Sequence, residues 1–418
     1  TNSDIAAEAV ACFNADRVFQ STDQTCDLYL NMLSSLTRGE VEEAFRRRWD
    51  TGNRMLHLSG MAGVENAPAR LVEAWAESTA HAVEAPRDSV ATAFPYLAEP
   101  ALPALVLHDS SRQLPEGPAL RTVRLDNGLT LHMAVTPYEK GRFSLSLFHG
   151  DGLDGLDDAT YAVARATERT LREEGVGRLS REATRDHLGW RHVKVETDYR
   201  DDAFTINASG PGEELDAVTA ALWTQYTDPT PTKAGRARAI EGLEAGRDER
   251  ENTVEGVAPH RIRAFLYGDA RRTAPLDGRD VARVPLDAMR DFALARTSTP
   301  PRTIVAVGDF DPERLIGRVR HLFAMPAPVP ASHEAPHEAV RFPAGARRTV
   351  EVADPDGKAH LVVAWRHDLE DESDQRALAV RHLTASWLNE VLREEVREAI
   401  GAAYSPSGRY RHDQERGG

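Results

Sequence analysis

The stretch RTVRLDNGLTLHMAV, residues 121–135, carries the clearest structural signal in this chain. Apolar and polar side chains alternate on both sides of Asn127 and Gly128, as in two strands with one buried face. An Asn-Gly pair between two alternating runs is the strongest short-range signal for a β-hairpin. The stretch therefore predicts two antiparallel strands joined by a tight turn.

Further strands and helices follow the hairpin in clusters. Strand-like runs are RFSLSLF (142–148), HVKVET (192–197), AFTINAS (203–209) and RTIVAVGDF (302–310). Helical patterns cover 158–173, 180–188, 213–226, 232–251, 255–267 and 285–295, and DPERLIGRVRHLF (311–323) is a last helix. Antiparallel strands in clusters with paired helices between them predict an α+β fold and not a doubly wound α/β sheet.

Two proline-rich segments and an internal repeat divide the chain. Proline removes backbone donors and disfavours helix before it, so both segments are predicted to be surface linkers. Residues 53–78 and 301–326 share a strand, a glycine, an acidic turn and an amphipathic helix, with Trp75 matching Phe323. The predicted order is the closing part of an α+β domain (1–83), a linker (84–118), a complete α+β domain (119–324), a linker (325–345) and the opening part of a further α+β domain (346–418).

Composition and charge exclude several classes of partner. The 418 residues carry a formal net charge of −15, whereas nucleic-acid binding needs a basic face, so no nucleic acid is predicted. No apolar run approaches the ~18 residues of a membrane span, so no membrane is predicted either. Cys12 and Cys26 form no disulfide framework, which favours a cytoplasmic, reducing location. Export is the alternative if a signal peptide lies upstream.

A literal H-E-x-x-H occurs at His333, Glu334 and His337. This motif binds zinc because a helix places residues i and i+4 on one face. Pro336 lies inside this copy, and proline removes a helical hydrogen bond and clashes with the preceding turn. The spacing therefore has no geometric meaning, and incidental histidines in an exposed linker are the better interpretation.

No other catalytic or metal-binding motif is found in the sequence. The inverted H-x-x-E-H is absent, and the predicted helix 158–173 has no histidine, so Glu168 is interpreted as a solvated charge. A G-x-S-x-G motif is absent, and the glycine-rich run 149–158 is acidic and offers no lysine to a phosphate. We therefore predict no catalytic residue and no metal ligand in this chain.

The segment LNEVLREEVREAIGAAYSPSGRY, residues 388–410, carries the candidate binding residues. An apolar helical stripe is expected to end at Gly401, with Arg397 at the end of the helix and Tyr404 near the start of a strand. A guanidinium and a phenol at that junction can hydrogen-bond a peptide carbonyl or an oxyanion. The alternative is a surface arginine and a tyrosine that packs a helix–strand corner.

The same segment resembles a known family. LREEVREAIGAAYSPSG (392–408) resembles the R-E-x-x-G-x-x-Y-S segment of insulinase/pitrilysin-type zinc metallopeptidases, the inverzincins. Further resemblances cover nearly the whole chain in the family's order. The family's inter-half linker is resembled by AFPYLAEPALP (93–103). The counterpart of the zinc helix that has lost its ligands is resembled by GDGLDGLDDATYAVARATERTL (150–171). The end of that domain is resembled by VPLDAMRDFALART (284–297) together with RTIVAVGDFDPERL (302–315).

The resemblance implies four similar α+β domains, paired into two halves that enclose a peptide chamber. The first half binds zinc, and the second half supplies an arginine and a tyrosine to the substrate. This chain would then hold the end of the second domain, the whole third domain and the beginning of the fourth. Arg397 and Tyr404 match the substrate-binding and transition-state pair, although Ala399 and Ile400 stand where Glu-Leu is usual.

The functional prediction is therefore the substrate-binding, non-catalytic half of a zinc peptidase. The chain alone is expected to be inactive and to hold no cofactor, with zinc in the catalytic half. Its predicted partners are that zinc-bearing half, in the same polypeptide or a separate one, and a peptide substrate; a homodimer is compatible with the sequence. The alternative is a non-catalytic binding or assembly subunit that partners a separate zinc-bearing chain.

Overall fold

A computed structural model describes residues 2–49, 52, 54–59, 63–81, 93–115, 117–150, 152–268, 274–297, 302–324, 343–353, 357–366, 375–401, 403 and 405–410. Tyr404 and the H-E-x-x-H at 333–337 lie outside these residues, as does most of the predicted linker 325–345. The chain divides into two units, residues 1–89 and 90–418.

The first unit is helical in its described residues. Its helices are α1 (Asn2–Asn14), α2 (Thr22–Ser35), α3 (Arg38–Trp49) and α4 (Ala67–Ala80). The rings of Trp49 and Trp75, 5.8 Å apart, join α3 to α4. Residues 54–59 form no strand, although the internal repeat predicts one there. The reason is that a strand needs a neighbour to pair with, and the described part of this unit contains no other strand.

The second unit contains seven strands and ten α-helices in its described residues. The strands are β1 (Val106–Gln113), β2 (Ala119–Leu125), β3 (Leu129–Val135), β4 (Arg142–His149), β5 (Lys194–Tyr199), β6 (Phe204–Pro211) and β7 (Arg302–Gly308). The helices are α5 (Asp158–Leu171), α6 (Arg181–Thr184), α7 (Leu215–Thr227), α8 (Lys233–Ala245), α9 (Arg247–Asn252), α10 (Val254–Tyr267), α11 (Gly278–Arg283), α12 (Leu286–Thr297), α13 (Pro312–Leu322) and α14 (Gln375–Leu392).

The predicted hairpin is confirmed as β2 and β3. The N–H of Gly128 donates to the carbonyl of Leu125 at 3.1 Å, and Gly128 has φ 81°. A three-residue loop with a left-handed third residue is a common hairpin connection, and glycine adopts that conformation without a steric cost. The Asn127 side chain donates to the carbonyl of Phe323 at 2.6 Å, so the turn is also tied to the end of α13.

One seven-stranded sheet organises the second unit, in the order β1-β2-β3-β7-β4-β6-β5. β7 lies between β3, to which it is parallel, and β4, to which it is antiparallel. Leu131, Leu145 and Ile304 on these three strands are fully buried against the helical layer. α7 and α13 contribute the opposite side of that core, and the α+β prediction is confirmed.

Part of the segment 84–118, predicted as a linker, belongs to the sheet. Its residues 106–113 form β1, which pairs with β2 along its length. Residues 93–105 pack on the domain and are called the connector from here on. Toward the other end of the chain, residues 343–353 and 357–366 form no strand, and α14 is the regular element of the described residues there. No helix of the described residues is long and apolar enough to cross a membrane.

Candidate functional site

The predicted helix end at Arg397 is present. α14 continues without a break into a π-helical segment, Arg393–Ala399. Arg397 lies in this segment, and its residue is exposed. The chain then turns at Gly401, whose φ of 66° lies in the left-handed region that favours glycine. π-Helical segments are rare and occur frequently at functional sites. The helix stop at Gly401 is therefore confirmed, and the arginine lies on an unusual turn.

The neighbouring arginine of this segment is engaged in ion pairs. Arg393 contacts Glu390 at 2.9 Å and also pairs with Glu398. The hydrogen bond from Glu390 raises the pKa of Arg393 above its usual range. Arg393 is thus a charged, internally paired part of the helix.

A return segment, residues 405–410, lies along α14 and forms a groove with it. The side-chain amide of Asn389 donates to the carbonyl of Gly408 at 3.0 Å and accepts from its N–H at 2.6 Å. The Tyr410 ring packs edge-on against His382, with centroids 5.3 Å apart. An open groove of about 460 Å³ results, lined by His382, Ala385, Ser386, Asn389, Gly408, Arg409 and Tyr410.

This arrangement offers hydrogen-bond donors and acceptors suited to a polypeptide backbone. The other side chains of the groove include a hydroxyl, an imidazole and a guanidinium, which together can satisfy peptide N–H and C=O groups. Sequence reasoning proposed Arg397 as a binding residue and did not single out Asn389. An asparagine inside a helix gives no local sign that its partner lies 19 residues further along the chain.

Glu168 is not the solvated charge that the sequence suggested. Its residue is only 6% exposed, and Arg165 and Arg172 contact its carboxylate at 2.8 and 3.3 Å. Burial raises the pKa of Glu168 above the usual glutamate range, and the two arginines offset this only in part. The prediction failed because the packing of α5 against β5, which buries this face, leaves no local pattern.

The described residues do not fit a metal ion. They contain no group of three histidine, cysteine, aspartate or glutamate side chains that could hold one. Glu168, on the helix that resembles a zinc helix, is committed to arginines and therefore cannot supply a ligand without losing both ion pairs. No step that depends on a metal can be derived for the described part of this chain.

The seven-stranded sheet with helices packed on one face is an α+β fold, which the chain shares with a solved protease structure. Among solved structures, the chain is similar to the periplasmic protease PqqL from Escherichia coli. The TM-score is 0.56 at 16% identity, over 98% of this chain and 45% of PqqL. No protein-family model and no curated protein matches the chain by sequence.

Two further solved structures are similar at lower scores. The ferredoxin protease FusC, in complex with Arabidopsis ferredoxin, has a TM-score of 0.48 at 16% identity, over 80% of this chain and 37% of FusC. A peptidase M16 inactive domain from Pseudomonas fluorescens has a TM-score of 0.41 at 16% identity, over 55% of this chain and 53% of that one. The chain thus spans less than half the length of PqqL and of FusC. At this identity, the likeness to PqqL shows the fold alone.

Proposed function

We propose that this chain is the non-catalytic, substrate-binding half of a zinc-dependent peptidase that encloses peptides between two halves. Arg397 and Tyr404 are assigned to the peptide, and zinc is assigned to the other half. The observation that carries the proposal is the exposed position of Arg397 on the π-helical segment that follows α14, the helix that also lines the groove.

Guanidinium chemistry suits the assigned role. The group is always charged and presents donors in a planar fork, which matches the oxygen atoms of a peptide. A hydrogen bond from such a donor strengthens as negative charge develops on a carbonyl oxygen during hydrolysis. The tie between Asn389 and Gly408 supports the assignment, because it holds the chain that follows Tyr404 against the same helix.

Peptide binding tests the assignment of Arg397. We expect the chain alone to bind a fluorescein-labelled, unstructured peptide without hydrolysing it. Arg397→Ala should weaken binding about tenfold, because a charge-assisted hydrogen bond is lost. Arg112→Ala removes an exposed arginine from β1 and should leave the affinity unchanged. Fluorescence anisotropy measures both variants, and equal affinity of Arg397→Ala and the unaltered chain would reject the assignment.

Hydrolysis in the presence of the zinc-bearing half tests the larger proposal. The unaltered chain should support hydrolysis there, and Tyr404→Phe should lower kcat by about 10²–10³, the usual loss for one oxyanion donor. Wild-type turnover of Tyr404→Phe would show that the tyrosine only packs. Binding to the zinc-bearing chain without any effect on hydrolysis would favour the assembly subunit instead.

A reducing location, the cytoplasm, is part of the proposal. Cys12 is buried in α1, Cys26 is exposed on α2, and both are free thiols. Free thiols, one of them exposed, are compatible with a compartment that keeps cysteines reduced.

A further inference from the structure

The groove between α14 and the return segment contains basic side chains and, among its described lining residues, no acidic one. Its lining residues on α14 follow the spacing of one helix face, and they are His382, Ala385, Ser386 and Asn389. From the return segment, Arg409 lines the groove and makes no ion pair with any described residue. The whole chain has 66 acidic and 51 basic residues. A groove without a carboxylate therefore departs from the charge of the chain.

The polar groups around Tyr410 that have no partner can all donate a hydrogen bond. The Tyr410 hydroxyl and Nε of Arg381 are buried and unpaired among the described residues. The Arg381 guanidinium lies 5.9 Å from the centre of the Tyr410 ring, so its positive charge is held behind the wall of the groove. By contrast, the Ser386 hydroxyl already donates to the carbonyl of His382 at 3.0 Å. The exposed guanidinium of Arg409 adds further donors, so the groove lacks an acceptor.

Three carboxylates that follow the groove along the chain are engaged elsewhere. Glu390 is the next residue after Asn389 and contacts Arg393 at 2.9 Å. Glu394 and Glu398 pair with the same arginine. None of these three glutamates lines the groove. The positive charge of the groove is therefore available to a ligand.

We propose that the groove binds an acidic side chain of the peptide, with Arg409 as its ion-pair partner. An aspartate or glutamate side chain only accepts hydrogen bonds, and its two oxygens match the planar fork of a guanidinium. Because the groove is open, a peptide can continue on both sides of a carboxylate within its sequence. The inference rests on the proposed function, since the ligand is the peptide assigned there to Arg397. It specifies the substrate class as a peptide with an acidic segment.

Peptides that differ at one position test this preference on the full chain. Each is labelled with fluorescein, amidated at its C-terminus and built from glycine, serine and leucine around a central glutamate, glutamine or lysine. Fluorescence anisotropy should show the glutamate peptide bound about fivefold more tightly than the glutamine peptide, as expected for one exposed charge pair. The lysine peptide should bind least tightly. Raising the salt from about 0.05 to about 0.5 M should reduce the glutamate preference to less than about twofold, because exposed charges are screened.

Substitutions at Arg409 separate its charge from the rest of the groove. Arg409→Gln keeps a polar side chain without the charge, so the glutamate and glutamine peptides should bind equally. Arg409→Lys should retain part of the preference, because the charge remains but the planar fork is lost. Arg409→Glu should reverse the order, with the lysine peptide bound most tightly. Arg112→Gln, at an exposed position of β1, is the control and should retain the full preference.

The same titrations distinguish failure of this inference from failure of the proposed function. Arg397→Ala should weaken the glutamate and glutamine peptides by the same factor and leave their ratio unchanged. Equal binding of all three peptides to the unaltered chain, with a loss in Arg397→Ala, would reject the acidic preference and leave the peptide assignment standing. Absence of binding by every peptide would reject both.

Two further outcomes would overturn the proposal. A glutamate preference that persists in Arg409→Gln would show that the carboxylate binds elsewhere on the chain. A glutamine peptide with a free C-terminus provides the other comparison. Tighter binding of that peptide, without any preference for a central glutamate, would show that the groove binds a terminal carboxylate and not a side chain.

Discussion

At the scale of single residues, His149 shows how burial sets the chemistry of a side chain. It ends β4, where its Nδ1 lies 3.2 Å from the carbonyl oxygen of Arg296 and its ring packs 5.3 Å from that of Tyr226. Burial lowers the pKa of His149 to about 4, because a charged imidazole could not be hydrated there. The residue is therefore a neutral histidine of the core and has no access to a ligand.

The stability of the chain should depend on pH through His149. In the unfolded chain this imidazole takes up a proton below pH 6.5, its ordinary pKa, whereas the folded chain keeps it neutral down to about pH 4. Because the folded pKa is the lower one, the contribution of neutral His149 to the stability of the fold is fully present above pH 6.5. It is lost as the pH falls toward 4. The free energy of unfolding should decrease by about 3 kcal/mol over that range on this account alone.

Denaturation at pH 7 and near pH 4 measures this contribution. His149→Phe keeps an aromatic ring but cannot be protonated, so its stability should fall less between the two pH values. It should be the less stable protein at pH 7, because the hydrogen bond to Arg296 is lost. His108→Phe, at an exposed position of β1, is the control and should follow the unaltered chain. A pH dependence in His149→Phe equal to that of the unaltered chain would contradict the account.

At the scale of elements, the alternation of apolar and polar residues in the sequence predicted the strands that have one buried face. β2, β3, β4, β6 and β7 lie where apolar residues alternate, and Asn127 and Gly128 form the predicted turn. β1 could not be predicted in this way, because every residue of Val106–Gln113 is exposed. Its pairing with β2 is made by backbone groups, which leave no pattern in the side chains.

Contacts between distant elements were also beyond sequence reasoning. Arg397 and the stop at Gly401 follow from a local helical pattern and a local C-cap. Glu168 looks like any charge on a helix surface, and only the packing of α5 on β5 buries it. Asn389 likewise acquires its partner, Gly408, through the fold. The position of a residue in a helix was therefore predictable from the sequence, whereas the burial and the partners that a residue acquires through tertiary packing were not.

A hydrogen bond attaches the connector to a carboxylate of the domain that two arginines also contact. The Tyr96 hydroxyl donates to Asp228 at 3.0 Å, and Arg178 and Arg290 each contact the same carboxylate at 2.7 Å. The Asp228 side chain is only 5% exposed. Asp228→Asn removes the charge that both arginines share, and the expected loss is about 2 kcal/mol. This is less than for a fully buried pair, because both guanidinium groups can still reach water.

Urea denaturation compares this variant with one at an exposed carboxylate. Asp216 contacts Arg314 at 2.7 Å and Arg318 at 3.5 Å, but more than half of its side chain is exposed. Asp216→Asn should therefore change the free energy of unfolding by less than about 1 kcal/mol. Equal losses in the two variants would show that burial does not strengthen the connector's attachment.

At the scale of the whole molecule, the closing strand explains why, among the described residues, a complete sheet forms in one block. β7 pairs with β3 and β4, which are far earlier in the chain, so the sheet is continuous only when β7 enters it. Residues 54–59 correspond to β7 in the internal repeat but find no such pair of strands in the described part of residues 1–89. A strand pattern in sequence therefore becomes a strand only where its neighbours are present.

The order of cleavage by trypsin tests this organisation. Arg87 and Arg341 lie in the proline-rich segments 84–118 and 325–345, whereas Arg112 lies in β1. A protease needs a backbone that is extended and unpaired, and exposed linkers supply it most readily. We therefore expect the first cuts after Arg87 and Arg341, with Arg112 protected by its pairing to β2.

Mass spectrometry of the early products identifies these cuts, and a fragment of residues 88–341 should persist. The comparison between Arg87 and Arg112 is informative because both lie in the segment 84–118 that the sequence predicts as one linker. Denaturant should abolish the difference, since cleavage after Arg112 then follows unfolding of the sheet. Two results in native conditions would contradict the domain organisation: cleavage after Arg112 as fast as after Arg87, or a first cut within 120–324. In either case the seven-stranded sheet would not protect its own backbone.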